Sequence, residues 1–95
     1  KKAIKDYNKA LLVKGSFVEA LNNRGNAFYK LGNYDKAVED YSQAIQINAQ
    51  YGVAYLNRGM AKKMLQLPKK ACEDWSKASS LGIKSVESFI ENQCQ

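Results

Sequence analysis

Cys72 and Cys94 are the side chains of this chain best suited to specific chemistry. A pair at this spacing can close a disulfide, or remain two free thiols with Cys72 serving as a small buried apolar residue. It cannot hold zinc alone, because a structural zinc site takes four Cys or His ligands, and the chain has no histidine. The missing imidazole also removes His-based acid–base pairs and triads. Gly25, Gly32 and Gly59 form no phosphate-cradling loop and read instead as packing and turn glycines. Asp and Glu side chains read as scattered over helix exteriors. No catalytic residue, metal site or cofactor is therefore assigned, since catalysis needs a constellation rather than single residues.

The elements that must position the two cysteines are set by a repeat. Sliding the chain along itself by 34 positions brings Asn23-Arg24-Gly25 onto Asn57-Arg58-Gly59. It also brings Ala37, Tyr41 and Ala44 onto Ala71, Trp75 and Ala78. Sliding the other way lands the same three on Ala3, Tyr7 and Ala10. A fixed period in this range is the mark of a stacked-repeat architecture. The spacing Leu21-x2-Arg24-Gly25-x2-Phe28 followed by Ala37-x3-Tyr41-x2-Ala44 resembles the tetratricopeptide repeat, a helix–turn–helix unit. Two departures stand out. Arg24 and Arg58 occupy positions where that pattern usually has an apolar residue, and Ala49 and Ile83 replace the proline between units.

The resemblance implies an all-α fold, an α–α superhelix (solenoid) of antiparallel helix pairs ending in a capping helix. Residues 1–17 are the second helix of a truncated repeat, 18–51 and 52–84 are complete repeats, and 85–95 form the cap. The apolar spacing predicts helices over 1–14, 18–31, 34–48, 52–65, 69–82 and 85–93. Gly15-Ser16 closes the first and Gly32-Asn33 makes a tight turn. Pro68 opens the fifth, where its missing N–H is harmless. Gly25 costs its helix about 1 kcal/mol against Ala, which makes sense if a partner helix approaches closely there. Phe28 and Tyr41 are expected to fill the space on either side. Tyr34, Ala37, Val38, Tyr41, Ala44, Ile45 and Ile47 are expected on the buried side of the helix over 34–48. In the cap, Val86, Phe89 and Ile90 face inward while Glu87, Glu91, Asn92, Gln93 and Gln95 give the polar outer side that the end of a solenoid needs.

With those helices in place the cysteines come to one level. The last hairpin turns near residue 83, midway between Cys72 and Cys94, and Cys72 follows Ala71 on the side facing the next helix. One reading is a disulfide that staples the cap, contributing roughly 3 kcal/mol and implying an oxidising, periplasmic or secreted setting. The other is two free thiols in a reducing, cytoplasmic one.

In the family that the chain resembles, the first helix of each pair lines a concave face that binds peptides or protein segments. Carried over by register, the lining residues are Glu19, Asn22, Asn23, Asn26, Tyr29 and Lys30 in one repeat. In the next they are Val53, Leu56, Asn57, Met60, Lys63 and Met64. The first set is polar, with amides able to hold an extended backbone. The second is an apolar patch rimmed by lysine, and exposed Met and Leu suit an adaptable partner surface. Co-chaperone members clamp a C-terminal carboxylate with Lys and Arg. Asn26 and Asn57 match two Asn of that clamp. Its basic positions fall on Asn22 or Leu56, or in the other frame on Val53 and Asn57, so the strong charge-assisted bonds are missing.

The function read from these features is a non-catalytic protein-interaction scaffold within a larger protein, binding a protein or peptide partner in the groove. Two other readings remain beside it. The net charge of +6 and the tyrosines suit a nucleic-acid-binding repeat, but the groove positions differ between units and hold Leu and Met. A purely structural spacer in an enzyme or envelope protein is the other. The basic residues are spread over every helix and read mostly as solvated faces. No run of 18 apolar residues exists, so no membrane span is expected. The chain starts within a repeat and without a leader, and reads as an excised piece. The apolar side of helix 1–14 would then lack its partner, and a second copy covering it would make a homodimer.

Overall fold

The computed structural model describes residues 17–94. The helix expected over 1–14, its closure at Gly15-Ser16 and the homodimer contact built on it lie outside those residues. Within them the chain is all-helical: α1 (Phe17–Lys30), α2 (Tyr34–Ile47), α3 (Gly52–Met64), α4 (Pro68–Ser80), a 3-10 turn (Lys84–Val86) and α5 (Glu87–Gln93). These bounds fall within one or two residues of the helices that the apolar spacing predicts, and the cap begins with the 3-10 turn.

Small residues at the repeat period let the helices close on one another. Ala37, Ala44, Ala71 and Ala78 are fully buried, and the large Tyr41 and Trp75 rings are buried between them. Leu21 clusters with Ala44, Gly25 meets Tyr41, and Tyr29 meets Tyr34 edge-on. As one residue number rises the other falls, so α1 and α2 run antiparallel. Gly59 against Trp75 repeats the arrangement in α3 and α4. α2 packs against α3, which joins the two hairpins, and α1 touches α3 directly.

The turns repeat as well. Gly32 closes α1 with φ 79°, and Gln66 takes the equivalent left-handed position after α3 with φ 65°. Left-handed backbone is steep for a residue with a Cβ, and Pro68 at the first position of α4 helps fix the chain that follows it. Leu67 donates its N–H to the Lys62 carbonyl as Asn33 does to that of Phe28.

Three expectations are corrected. Ile47 is 58% exposed, because it ends α2 at the level where α1 begins, beyond the cluster around Ala44. The glycine at 25 is not flanked by Phe28 and Tyr41: the Tyr41 ring lies directly on it, and a Cβ there would sit 2.6 Å from Tyr41 Cε1. Asp40 and Asp74 are not exterior carboxylates but are buried, for the reason given next.

Arg24 and Arg58, the departures from the apolar pattern, are the partners of those carboxylates. Arg24 donates Nε and Nη2 to the two oxygens of Asp40, both at 2.8 Å. Arg58 does the same to Asp74 at 2.8 and 2.7 Å. A forked guanidinium facing a carboxylate satisfies both groups at once, so each repeat carries a charged tie between its two helices. Lys62 adds a second cation to Asp74 at 3.1 Å. Arg58 also donates Nη1 to Ser42 Oγ at 3.1 Å, linking α3 back to α2. Hydrogen bonding to the carboxylate raises the pKa of both arginines.

The cap closes the stack. Val86 is fully buried, and Phe89 and Ile90 pack on the cluster of Ala71, Trp75 and Ala78. Cys72 and Cys94 are joined by a disulfide with Cα atoms 5.7 Å apart. Among the described residues, no helix is long and apolar enough to cross a membrane.

Candidate functional site

α1 and α3 lie side by side, and one side-chain bond sets their spacing. Asn57 donates Nδ2 to Asn22 Oδ1 at 3.0 Å. Asn22 is buried, so its amide serves this contact behind the groove rather than lining it openly. In front of that bond Asn26, Tyr29, Tyr41, Asn57 and Met60 enclose a cleft of about 180 Å³. Four of these residues are ones the family register places in the groove. The fifth, Tyr41, comes from α2 and reaches between the two helices because Gly25 leaves room for its ring.

The polar groups of the cleft have settled directions. Tyr41 donates its hydroxyl to Asn26 Oδ1 at 2.5 Å. The Asn26 carbonyl is thereby engaged, and its NH₂ group remains as a donor. Burial, then the neighbouring Tyr29 and Asp40, push the Tyr41 pKa up. Burial and then Tyr34 push up that of Tyr29. Both phenols therefore stay neutral at ordinary pH. The Tyr29 ring is held edge-on to Tyr34, with centroids 5.2 Å apart. Met60 forms the apolar wall, and its other side packs on the Trp75 cluster.

The remaining residues assigned by register divide into two kinds. Leu56 is half-buried in the Trp75 cluster, and its carbonyl accepts from Trp75 Nε1 at 3.3 Å. Asn23 is half-buried, while Glu19, Lys30, Val53, Lys63 and Met64 are exposed. Lys30 and Lys63 stand at the C-terminal ends of α1 and α3, so one rim of the face is basic. Neither arginine of these helices is available to a ligand anion in the same way, since each guanidinium is committed to an aspartate. Among the described residues, no cluster of His, Cys, Asp and Glu could hold a metal.

Sequence reasoning missed Tyr41 as a lining residue and both Arg–Asp ties. The ties did leave a signal. Arg24 precedes Asp40 by the same interval as Arg58 precedes Asp74, and the two pairs are one repeat apart. A second surface depression of about 370 Å³ lies elsewhere, lined by Pro68, Lys69, Cys72, Gln93 and Cys94.

Comparison with known families matches residues 18–51 to the tetratricopeptide repeat and residues 1–32 to a related repeat description, "TPR repeat". No curated protein matches. Solved structures do. The first TPR of Spaghetti (RPAP3), bound to the HSP90 peptide SRMEEVD, is similar with a TM-score of 0.90 and 25% identity. It matches over 98% of this chain and 77% of that one. The Arabidopsis OM64 TPR domain has a TM-score of 0.84 and 29% identity, over 96% and 79% of the two chains. The second TPR domain of human RPAP3, in complex with the HSP70 peptide SGPTIEEVD, has a TM-score of 0.85 and 26% identity, over 97% and 78%.

Proposed function

The chain belongs to the tetratricopeptide-repeat family, and from that premise we propose that it is a non-catalytic scaffold whose α1–α3 face binds an extended protein segment. The observation that carries this reading is the cleft of Asn26, Tyr29, Tyr41, Asn57 and Met60. Its amides and neutral phenols suit a peptide backbone, which offers alternating donors and acceptors. Its apolar wall at Met60 suits one large apolar side chain, and methionine adapts to varied shapes. Val53 and Met64 extend that apolar strip along the exposed side of α3.

Two of the similar structures hold peptides that end in acidic residues. In this chain recognition rests on backbone and apolar contacts instead. Asn22, Leu56, Val53 and Asn57 stand where a carboxylate clamp would have its cations, and Lys30 and Lys63 offer only exposed charges at the rim. Exposed charge pairs contribute little each.

The test is selection of binders from displayed random peptides, followed by affinity measurement on purified variants. Enriched sequences should share a large apolar residue, and amidating their C-terminus should leave affinity unchanged. Met60→Glu should weaken binding about tenfold or more, which corresponds to about 1.4 kcal/mol. Equal binding by the Met60→Glu protein, or dependence on a free C-terminal carboxylate, would place recognition elsewhere.

A further inference from the structure

α5 is a helix of 7 residues, far below the roughly 12–15 at which a helix holds itself in water. None of its residues is fully buried. An apolar contact and a covalent bond help keep it in place. Phe89 and Ile90 rest on the Trp75 cluster, with the Phe89 and Trp75 rings 5.4 Å apart. Beyond its last turn, Cys94 is bonded to Cys72.

The cluster that seats α5 also holds the wall of the cleft. Leu56 and Met60 of α3 pack on the same buried residues as Phe89, Ile90 and Cys94. Met60 thus has one side in the cleft and the other toward the residues that the cap covers. The repeat period makes the relation explicit: Cys94 stands one unit beyond Met60 and two beyond Asn26. α5 is the third helix in the row that α1 and α3 begin. The disulfide itself borders the surface depression of Pro68, Lys69, Cys72, Gln93 and Cys94, within reach of a small thiol.

We propose that the Cys72–Cys94 disulfide is a thiol-responsive latch: its reduction releases α5 from Trp75 and loosens the cleft wall at Met60. The consequence for partner binding rests on the groove reading above; the release itself does not. The co-reactant is a dithiol. One of its thiolates attacks a sulfur of the pair, the Cys72–Cys94 bond breaks, and a mixed disulfide forms. The second thiol resolves it, so the dithiol closes to its own disulfide while Cys72 and Cys94 end as two protonated thiols. Two electrons pass to the protein. The cap then keeps its half-buried Phe89 and Ile90 contacts without the covalent tie, and local opening of so short an element is the expected result.

The chain carries its own reporters: one tryptophan, Trp75, and two methionines, Met60 and Met64. The experiment uses the whole chain labelled with carbon-13 at the methionine methyls, with a Met64→Leu sample to assign the two resonances. A thiol-blocking reagent and intact mass count free thiols before and after dithiothreitol. The expected result is no label before and two after. On reduction the Met60 methyl should shift while the exposed Met64 methyl stays. Trp75 emission should move to the red, with most of the helical circular dichroism retained.

Two labels before any reductant would overturn the proposal. So would unmoved Met60 and Trp75 signals after two labels, or loss of the whole helical signal, which would make the bond a staple of the entire fold. No peptide enters the measurement, so failure of the groove reading and failure of the latch are distinguishable. A peptide that binds equally well in both redox states would remove the link between them.

Discussion

The two complete helix pairs share one frame and differ on the face they show. α1–α2 and α3–α4 each place a glycine under an aromatic ring, Gly25 under Tyr41 and Gly59 under Trp75. Each ties an arginine to a buried aspartate. Yet at the position where the first pair puts Asn26 into the cleft, the second puts Met60. Where α1 has Phe28, with Lys36 lying over its ring, α3 has Lys62 on Asp74. The shared features are those that each hairpin needs in order to close. The differing ones face the groove, as Asn26 and Met60 do, or add to the closure of a single hairpin, as Lys62 does.

The ties should separate the two pairs most strongly. Asp74 meets two cations, Arg58 and Lys62, whereas among the described residues Asp40 is paired with Arg24. Removing one member of a buried ion pair leaves its partner charge uncompensated, an effect of about 3–5 kcal/mol where burial is deep. These cations are partly exposed, so the lower end applies. Asp74→Ala should lose about 3 kcal/mol and Asp40→Ala somewhat less, read from urea unfolding of the two variants in parallel. Since about 1 kcal/mol is worth about 4–8 °C in a domain of this size, thermal melts should rank them too. A larger loss for Asp40→Ala would mean that the second cation adds nothing.

The glycines come next. A Cβ at Gly59 would meet Trp75 Nε1 at 2.5 Å and the backbone carbonyl of Ala71 at 3.1 Å. At Gly25 all the close atoms belong to the Tyr41 ring, the nearest at 2.6 Å. A ring can tilt, but a helix backbone cannot shift without moving its neighbours. Overpacking costs about 1–3 kcal/mol, against about 1 kcal/mol gained by replacing a helical glycine with alanine. Gly59→Ala should therefore destabilise by up to about 2 kcal/mol net and Gly25→Ala by less, measured by the same unfolding curves. Equal losses would show that the Tyr41 ring is as fixed as the α4 backbone, which its bond to Asn26 would then explain.

Most of the frame was legible in the sequence because closure repeats itself. Ala37, Ala44, Ala71 and Ala78, with Tyr41 and Trp75, recur at a fixed interval and all are buried. The interval therefore reads out the contact. The Arg–Asp ties were equally periodic, but charge is ordinarily a surface signal, and a carboxylate becomes a core residue only through its partner on another helix. Pairing is a property of two positions, while hydropathy is read one position at a time. The cleft was half legible for a similar reason. Register places Asn26, Tyr29, Asn57 and Met60 on the face of α1 and α3. Tyr41 belongs to a second helix of a pair and reaches the groove only through the gap over Gly25. Asn22, assigned to the open face by the same register, is withdrawn from it by Asn57.

The smallest effect on stability should carry the sharpest information about the groove. Asn23 lies on the polar half of the face, and Met64, 44% exposed, on the apolar half. Neither is needed for closure, so Asn23→Ala and Met64→Gln should each change stability by no more than about 0.5 kcal/mol. Affinity for a selected peptide is where they should part. If the ligand's apolar side chain runs along α3, Met64→Gln should weaken binding several-fold, about 1 kcal/mol for the loss of a partly buried thioether contact, with Asn23→Ala close to neutral. The opposite order would mean that the amides of α1 hold the partner and that the apolar strip of α3 merely borders it. Because neither substitution disturbs the frame, either order can be read as recognition rather than as loss of fold. The ties and the glycines, which serve closure, cannot provide that separation.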